Sequence, residues 1–100
     1  MKSTYEIVWS DEAVQGLAEI IGYIENRFSE NDVKKFVKIL DDYLETIQKN
    51  PKIFPVSHQS NTIRKASVAK LTSIFYLIDG EKIYLISITD NRKNPERFKF

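Results

Sequence analysis

Six cations in the second half of the chain, Arg64, Lys65, Lys70, Arg92, Lys93 and Arg97, are the residues with the most chemistry to offer. Guanidinium and ammonium groups gathered in this way hold phosphates or acidic side chains. A lysine crowded by other cations has a depressed pKa and can move a proton. Residues 60–100 carry 8 Lys and Arg against 4 Asp and Glu, whereas residues 1–59 carry 7 against 10. The net charge of +1 thus hides a basic C-terminal part, which either steers a polyanion or acidic partner or simply balances the acidic part.

Other chemistry is sparse. The single histidine, His58, sits in a polar stretch (Ser57, His58, Gln59, Ser60, Asn61) and reads as solvated; with no cysteine and no second histidine, no metal site is expected. Asp41 and Asp42 are adjacent in a helical pattern and point about 100° apart, so they do not form a carboxylate pair for acid–base work. No glycine-rich phosphate loop and no serine elbow is present, and no cofactor is expected.

The elements that must position the cations begin with the stretch from Thr62 to Pro95. Leu71–Ile78 and Glu81–Thr89 are rich in Ile, Tyr, Phe, Leu and Thr and flank Asp79-Gly80, a pair suited to a type I′ hairpin turn with positive φ at both central residues. With those two residues in the turn, Tyr76 faces Ile83 and Ile74 faces Leu85, while Phe75 meets Tyr84 and Ser73 meets Ile86 on the other side. Neither face is wholly polar. Such a sheet needs a cover on each side, one from the rest of the chain and the second from a partner.

The rest of the chain supplies one cover. Tyr5–Trp9 is a run of strand formers ended by Ser10, a helix cap followed by Asp11 and Glu12 at the positive end of the helix dipole. Val14, Leu17, Ile20, Ile21, Ile24 and Phe28 then form a helical stripe, in which Gly16 and Gly22 cost about 1 kcal/mol each relative to Ala unless a backbone approaches closely. Ser29 with Asp32 predicts a capping box, and Val33, Phe36, Val37, Leu40, Leu44 and Ile47 repeat the stripe until Asn50-Pro51 ends it. The short connection makes the two helices an antiparallel hairpin. Lys34, Lys35, Lys38, Asp41, Asp42 and Glu45 form its solvated face. Pro51–Asn61 is a loop anchored by Ile53, Phe54 and Val56. Glu96–Phe100 either extends the last strand or forms a tail.

One hundred residues with 42% hydrophobic and 29% charged content make one domain, 1–100, of α+β class. The expected fold is a helical hairpin on one face of a small antiparallel β-sheet, in the order β-α-α-β-β-β. No apolar run is long enough to cross a membrane, and no secretory leader is readable, so a cytoplasmic location is the expectation.

From end to end the chain resembles the RelE/ParE superfamily of toxins from type II toxin–antitoxin systems, also called plasmid stabilisation proteins. The resemblance is carried by Ser10-Asp11-Glu12-Ala13, Ile20-Ile21-Gly22-Tyr23-Ile24 and the second helix closing on Asn50-Pro51. It continues through Ile63-Arg64, Ile74-Phe75-Tyr76-Leu77-Ile78, Ile83–Ile88 and Asp90-Asn91-Arg92-Lys93-Asn94-Pro95. It implies a growth-inhibiting toxin held in a hetero-oligomer by a cognate antitoxin, whose C-terminal segment wraps over it.

The superfamily has two trades. RelE-like members cut messenger RNA on the ribosome with a basic cluster and a C-terminal tyrosine, and ParE-like members poison DNA gyrase. In the alignment that the resemblance implies, Ser73 stands where the nucleases carry an arginine, Arg64 where they carry a lysine, and Arg92 within one residue of their later arginine. Phe98 falls near the catalytic tyrosine and has no hydroxyl. Cutting RNA through a 2′-hydroxyl needs groups that move protons and stabilise the charged transition state. The replacements therefore favour the ParE-like trade, as does the long helical hairpin. The nuclease remains the alternative, with Arg64, Lys65, Lys70 and Arg92 as its catalytic candidates. Tyr76, Tyr84, Phe98 and Phe100 are either an exposed aromatic set or core.

Overall fold

The computed structural model describes residues 5–58, 60–69 and 71–91; Lys70, Arg92, Lys93, Arg97, Phe98, Phe100 and the expectations attached to Glu96–Phe100 lie outside the described residues. The chain runs β1 (Glu6–Trp9), α1 (Asp11–Arg27), α2 (Glu30–Lys49), β2 (Arg64–Val68), β3 (Thr72–Asp79) and β4 (Lys82–Asp90), the expected order. The strands lie β1-β4-β3-β2. The three later strands are antiparallel, while β1 runs parallel to β4, so the sheet is mixed. Both helices and two strands separate β1 from β4 in the chain, and a connection of that length permits parallel pairing.

Local chemistry sets the helix boundaries. Ser10 is extended (φ −77°, ψ 161°) and its Oγ accepts from Ala13 N at 2.9 Å, while Ser29 and Asp32 form the reciprocal capping box. The Ser10 hydroxyl also donates to the Ile86 carbonyl at 2.8 Å, and the Ser10 amide donates to Leu85 O at 3.2 Å. Ile86 is the extra residue of a β-bulge, because Tyr76 pairs with Leu85 but Phe75 with Ser87. The cap of α1 thus takes the carbonyl that the bulge presents.

The face that α1 turns to the sheet differs from the simple stripe. Ala13, Ile20 and Ile24 are buried, whereas Val14 is 53% and Phe28 52% exposed. The reason is Gly16, whose missing Cβ would fall on the Ile88 carbonyl oxygen. That close approach brings the Ala13–Gly16–Ile20 line onto β4 and turns Val14 outward.

The β3–β4 turn also sits one residue later than expected. Asp79 pairs with Lys82, leaving Gly80 and Glu81 at its centre, with positive φ only at Gly80 (+66°). Glycine first, followed by a residue of negative φ, follows the type II′ pattern instead of type I′. Tyr76 then faces Leu85 and Ile78 faces Ile83.

Between the helices and the sheet lies the core, with Leu40 and Ile47 of α2 meeting Ala66, Val68, Ile74, Tyr76, Ile83, Leu85 and Ile88. Burying one such aliphatic side chain contributes about 1.5–3 kcal/mol. Tyr76 is fully buried and therefore belongs to the core instead of an exposed aromatic set. Of the loop anchors, Phe54 packs on the core and stacks on Tyr43 at 6.0 Å, but Ile53 and Val56 are 52% and 43% exposed. Val56 serves through its backbone instead, by a bridge to Arg64.

Both sheet edges are guarded at one end. Lys65 N donates to Pro55 O (3.0 Å) and Ser57 N to Ile63 O (2.7 Å), so the loop covers the start of β2. At the other edge, Gln48 at the end of α2 holds Tyr5 just before β1, accepting from its amide at 3.4 Å and donating Nε2 to its carbonyl at 2.8 Å. An edge with its amides and carbonyls occupied cannot template another strand there.

Candidate functional site

Strand alternation places every second residue on the face away from the helices. Paired neighbours across the strands share a face, which arranges this one in four rows. Ser67, Ser73 and Thr89 form a hydroxyl row; Lys65, Phe75 and Ser87 come next; Leu77, Tyr84 and Val8 follow; Asp79, Lys82 and Glu6 close the far end. Val8, Phe75, Leu77 and Tyr84 are half-buried and do not pack on the core. Among the described residues no helix or strand lies over them. This is the second apolar face expected from the alternation, although its pairs differ from those expected: Phe75 meets Ser87 in place of Tyr84, and Ser73 meets Thr89 in place of Ile86.

Charge on this face is modest and mostly balanced. Lys82 lies between Asp79 and Glu6 in the register, opposite charges on neighbouring strands. Lys65 holds its ammonium 5.9 Å from the centre of the Phe75 ring, a cation–π contact at the middle of the face. At the hydroxyl end Ser73 is fully buried and its Oγ donates to Asn91 Oδ1 at 3.1 Å. The Asn91 amide donates to Leu71 O at 2.8 Å, so the residue leading into Arg92 is tied to the sheet by side chain and backbone. The Thr89 hydroxyl beside them is buried with no hydrogen-bond partner among the described residues.

The nuclease candidates are not all brought together. Arg64 and Lys65 are consecutive in a strand and therefore project to opposite sides. Lys65 faces the open side. Arg64 shares the covered side with Tyr76, and its Nη1 donates to Phe54 O at 2.6 Å and reaches Lys52 O at 3.5 Å. The Tyr76 hydroxyl donates to Pro51 O at 2.7 Å, so guanidinium and phenol together strap the loop to the sheet. Burial pushes the Tyr76 pKa up to about 12, against the opposing pull of the Arg64 charge. Lys70 and Arg92 lie outside the described residues.

The remaining candidates behave as solvated groups. His58 is exposed, as are Asp41 and Asp42, and Asp42 pairs with Lys38 at 3.2 Å along the helix. No group of three or more acidic, histidine or cysteine side chains suited to a metal occurs among the described residues. What residue-by-residue reading missed is the loop strap: Arg64 looked like a phosphate ligand, and only the facing of Tyr76 and the path of the loop show it engaged with carbonyls.

A family model described as the ParE toxin of type II toxin–antitoxin systems, parDE, matches residues 7–95. Among solved structures, the chromosomal ParDE toxin–antitoxin system from P. aeruginosa superposes with a TM-score of 0.75 at 13% identity, covering 89% of this chain and 98% of that one. A copper-bound mutant toxin from Helicobacter pylori superposes with a TM-score of 0.62 at 12% identity, covering 89% and 97%. At such identities these likenesses show a shared fold. No curated protein matches the chain.

Proposed function

The chain belongs to the ParE toxin family of type II toxin–antitoxin systems, and from that premise we propose that it stops growth by binding DNA gyrase through the open face of its sheet. It works in the cytoplasm, in plasmid or chromosomal stabilisation, and is neutralised in a hetero-oligomer by an antitoxin encoded beside it. The observation that carries the reading is the face itself: Val8, Phe75, Leu77 and Tyr84 form an apolar centre that no described element covers. Uncovered apolar patches on small proteins mark interaction surfaces. Arg64 supports the same reading, since its guanidinium is engaged with the loop on the other side of the sheet and is not turned towards Lys65.

The test is to induce the chain alone in a bacterial host and to add the purified protein to gyrase. DNA breaks, filamentation and inhibited supercoiling support the reading. Rapid loss of translation with cut transcripts identifies the ribosome-dependent endoribonuclease instead, and Arg92→Ala should then abolish cutting while antitoxin binding persists. Unimpaired growth removes the toxin activity altogether.

A further inference from the structure

Two lysines lie on the open face of the sheet, and they differ in how their charge is answered. Lys82 stands in register between Asp79 and Glu6. Lys65 pairs with Phe75 on the next strand, and Phe75 is separated from Asp79 by about 13 Å of extended chain. That exceeds the Debye length of roughly 8 Å at physiological salt, so the acids at the far end do little for Lys65. The row between them holds Leu77, Tyr84 and Val8. Lys65 makes no ion pair among the described residues, and Arg64 beside it is engaged with carbonyls on the opposite side of the sheet. It is a solitary cation without a counter-charge.

The ring beside it holds that cation in place. Half-buried Lys65 keeps its ammonium 5.9 Å from the centre of the Phe75 ring, and the contact positions the charge without committing its three donors to an oxygen acceptor. A side chain already placed loses less freedom when it is paired. Tyr84, also half-buried on this face, has no hydrogen-bond partner for its hydroxyl among the described residues. Aromatic rings with polar tips around an apolar centre are the composition of interface anchors. The kind of anion follows from the charge balance. The paired rows carry Lys65 and Lys82 against Asp79 and Glu6, which sum to zero. A surface that tracks a phosphate backbone gathers several cations; this one sets a single unanswered charge among apolar side chains.

Resting on the function proposed above, we infer that Lys65 is the specificity-determining residue of the open face, which takes a protein surface of the target presenting one carboxylate to the Lys65 ammonium and apolar side chains to Phe75, Leu77 and Tyr84. The carboxylate completes the charge that the sheet leaves unanswered, and the surrounding apolar contact excludes water from the pair, where it is stronger than an exposed one.

Calorimetry of the chain with purified gyrase, over a series of salt concentrations and with and without DNA, tests this. Lys65→Gln should weaken binding by about 10-fold or more and flatten its salt dependence, as loss of one member of a desolvated charge pair does. Lys65→Arg keeps the charge and should restore most of both. Lys49→Gln removes the same charge from the exposed end of α2, where Lys49 is paired with Glu45 at 3.2 Å, and should change binding by less than about twofold. Circular dichroism checks that the variants fold. Unaltered affinity and salt dependence in Lys65→Gln overturns the assignment while leaving the gyrase reading intact. A loss seen only when DNA is present makes the anion a phosphate, and an equal loss in Lys49→Gln makes the effect one of net charge; either result overturns the assignment. Failure of the unaltered chain to bind gyrase removes the reading of the target, and this inference with it.

Discussion

Tyr76 and Arg64 show how two side chains paired across neighbouring strands can organise a loop. The buried phenol donates to Pro51 O, and the guanidinium takes Phe54 O, so Pro51–Phe54 is held without secondary structure of its own. Tyr76→Phe leaves a buried carbonyl without its donor and should cost about 1–3 kcal/mol, measured by urea denaturation at pH 7. The raised pKa adds a pH signature. The unfolded phenol ionises near 10 and the folded one near 12, so the unfolded state sheds its proton first. The Tyr76 contribution is complete below pH 10 and is lost between 10 and about 12. The stability gap between the native chain and Tyr76→Phe should therefore narrow over that interval; a constant gap would show that the phenol titrates alike in both states. Neither contact was legible in the sequence. Tyr76 read as one more aromatic, and Arg64 as one more cation beside Lys65, because which side of a strand faces the core depends on the register of its neighbours.

The two glycines of α1 separate local propensity from packing at the scale of elements. Gly16 lies against the Ile88 backbone, where a Cβ has no space, whereas nothing lies within 4 Å of a Cβ at Gly22. Gly16→Ala should destabilise by about 1–3 kcal/mol or more despite its better helix propensity, and Gly22→Ala should stabilise by up to about 1 kcal/mol. In a thermal melt the two should move in opposite directions, by roughly 4–8 °C per kcal/mol. If both raise the melting temperature, α1 does not sit this close to β4. Elements whose ends are decided by a few adjacent atoms were readable in advance: the Ser10 cap, the Ser29–Asp32 box and the stop at Asn50-Pro51 all stand where expected. The hairpin turn was displaced by one residue, and the exposure of Val14 was not foreseen. For Val14 the deciding contact is distant in sequence, the Ile88 carbonyl against Gly16.

Taken as a whole, the described residues form one finished core and one face left without a covering element. The helical hairpin covers Ile74, Ile83, Leu85 and Ile88, while over Phe75, Leu77 and Tyr84 on the reverse no helix or strand lies among the described residues. Charging that reverse face should therefore separate folding from activity. Phe75→Lys with Leu77→Lys is expected to lower the melting temperature by no more than roughly 10 °C and to abolish growth arrest on induction, scored by colony counts alongside circular dichroism. Full arrest by the folded double variant would transfer the target contact to another surface. The β-α-α-β-β-β order and the two-sided sheet were legible because apolar periodicity reports them directly. The parallel entry of the first strand was not, since periodicity carries no strand direction.

The guarded rims of the sheet bear on how this chain fails when it is overproduced alone. Pro55 and Ser57 at one border and Gln48 at the other occupy main-chain groups that a neighbouring molecule would need for ribbon growth. Where those groups are engaged, self-association should run through the reverse side of the sheet instead. Concentrated preparations should cloud through reversible clumping that mild detergent clears, without binding thioflavin, instead of seeding amyloid-like threads.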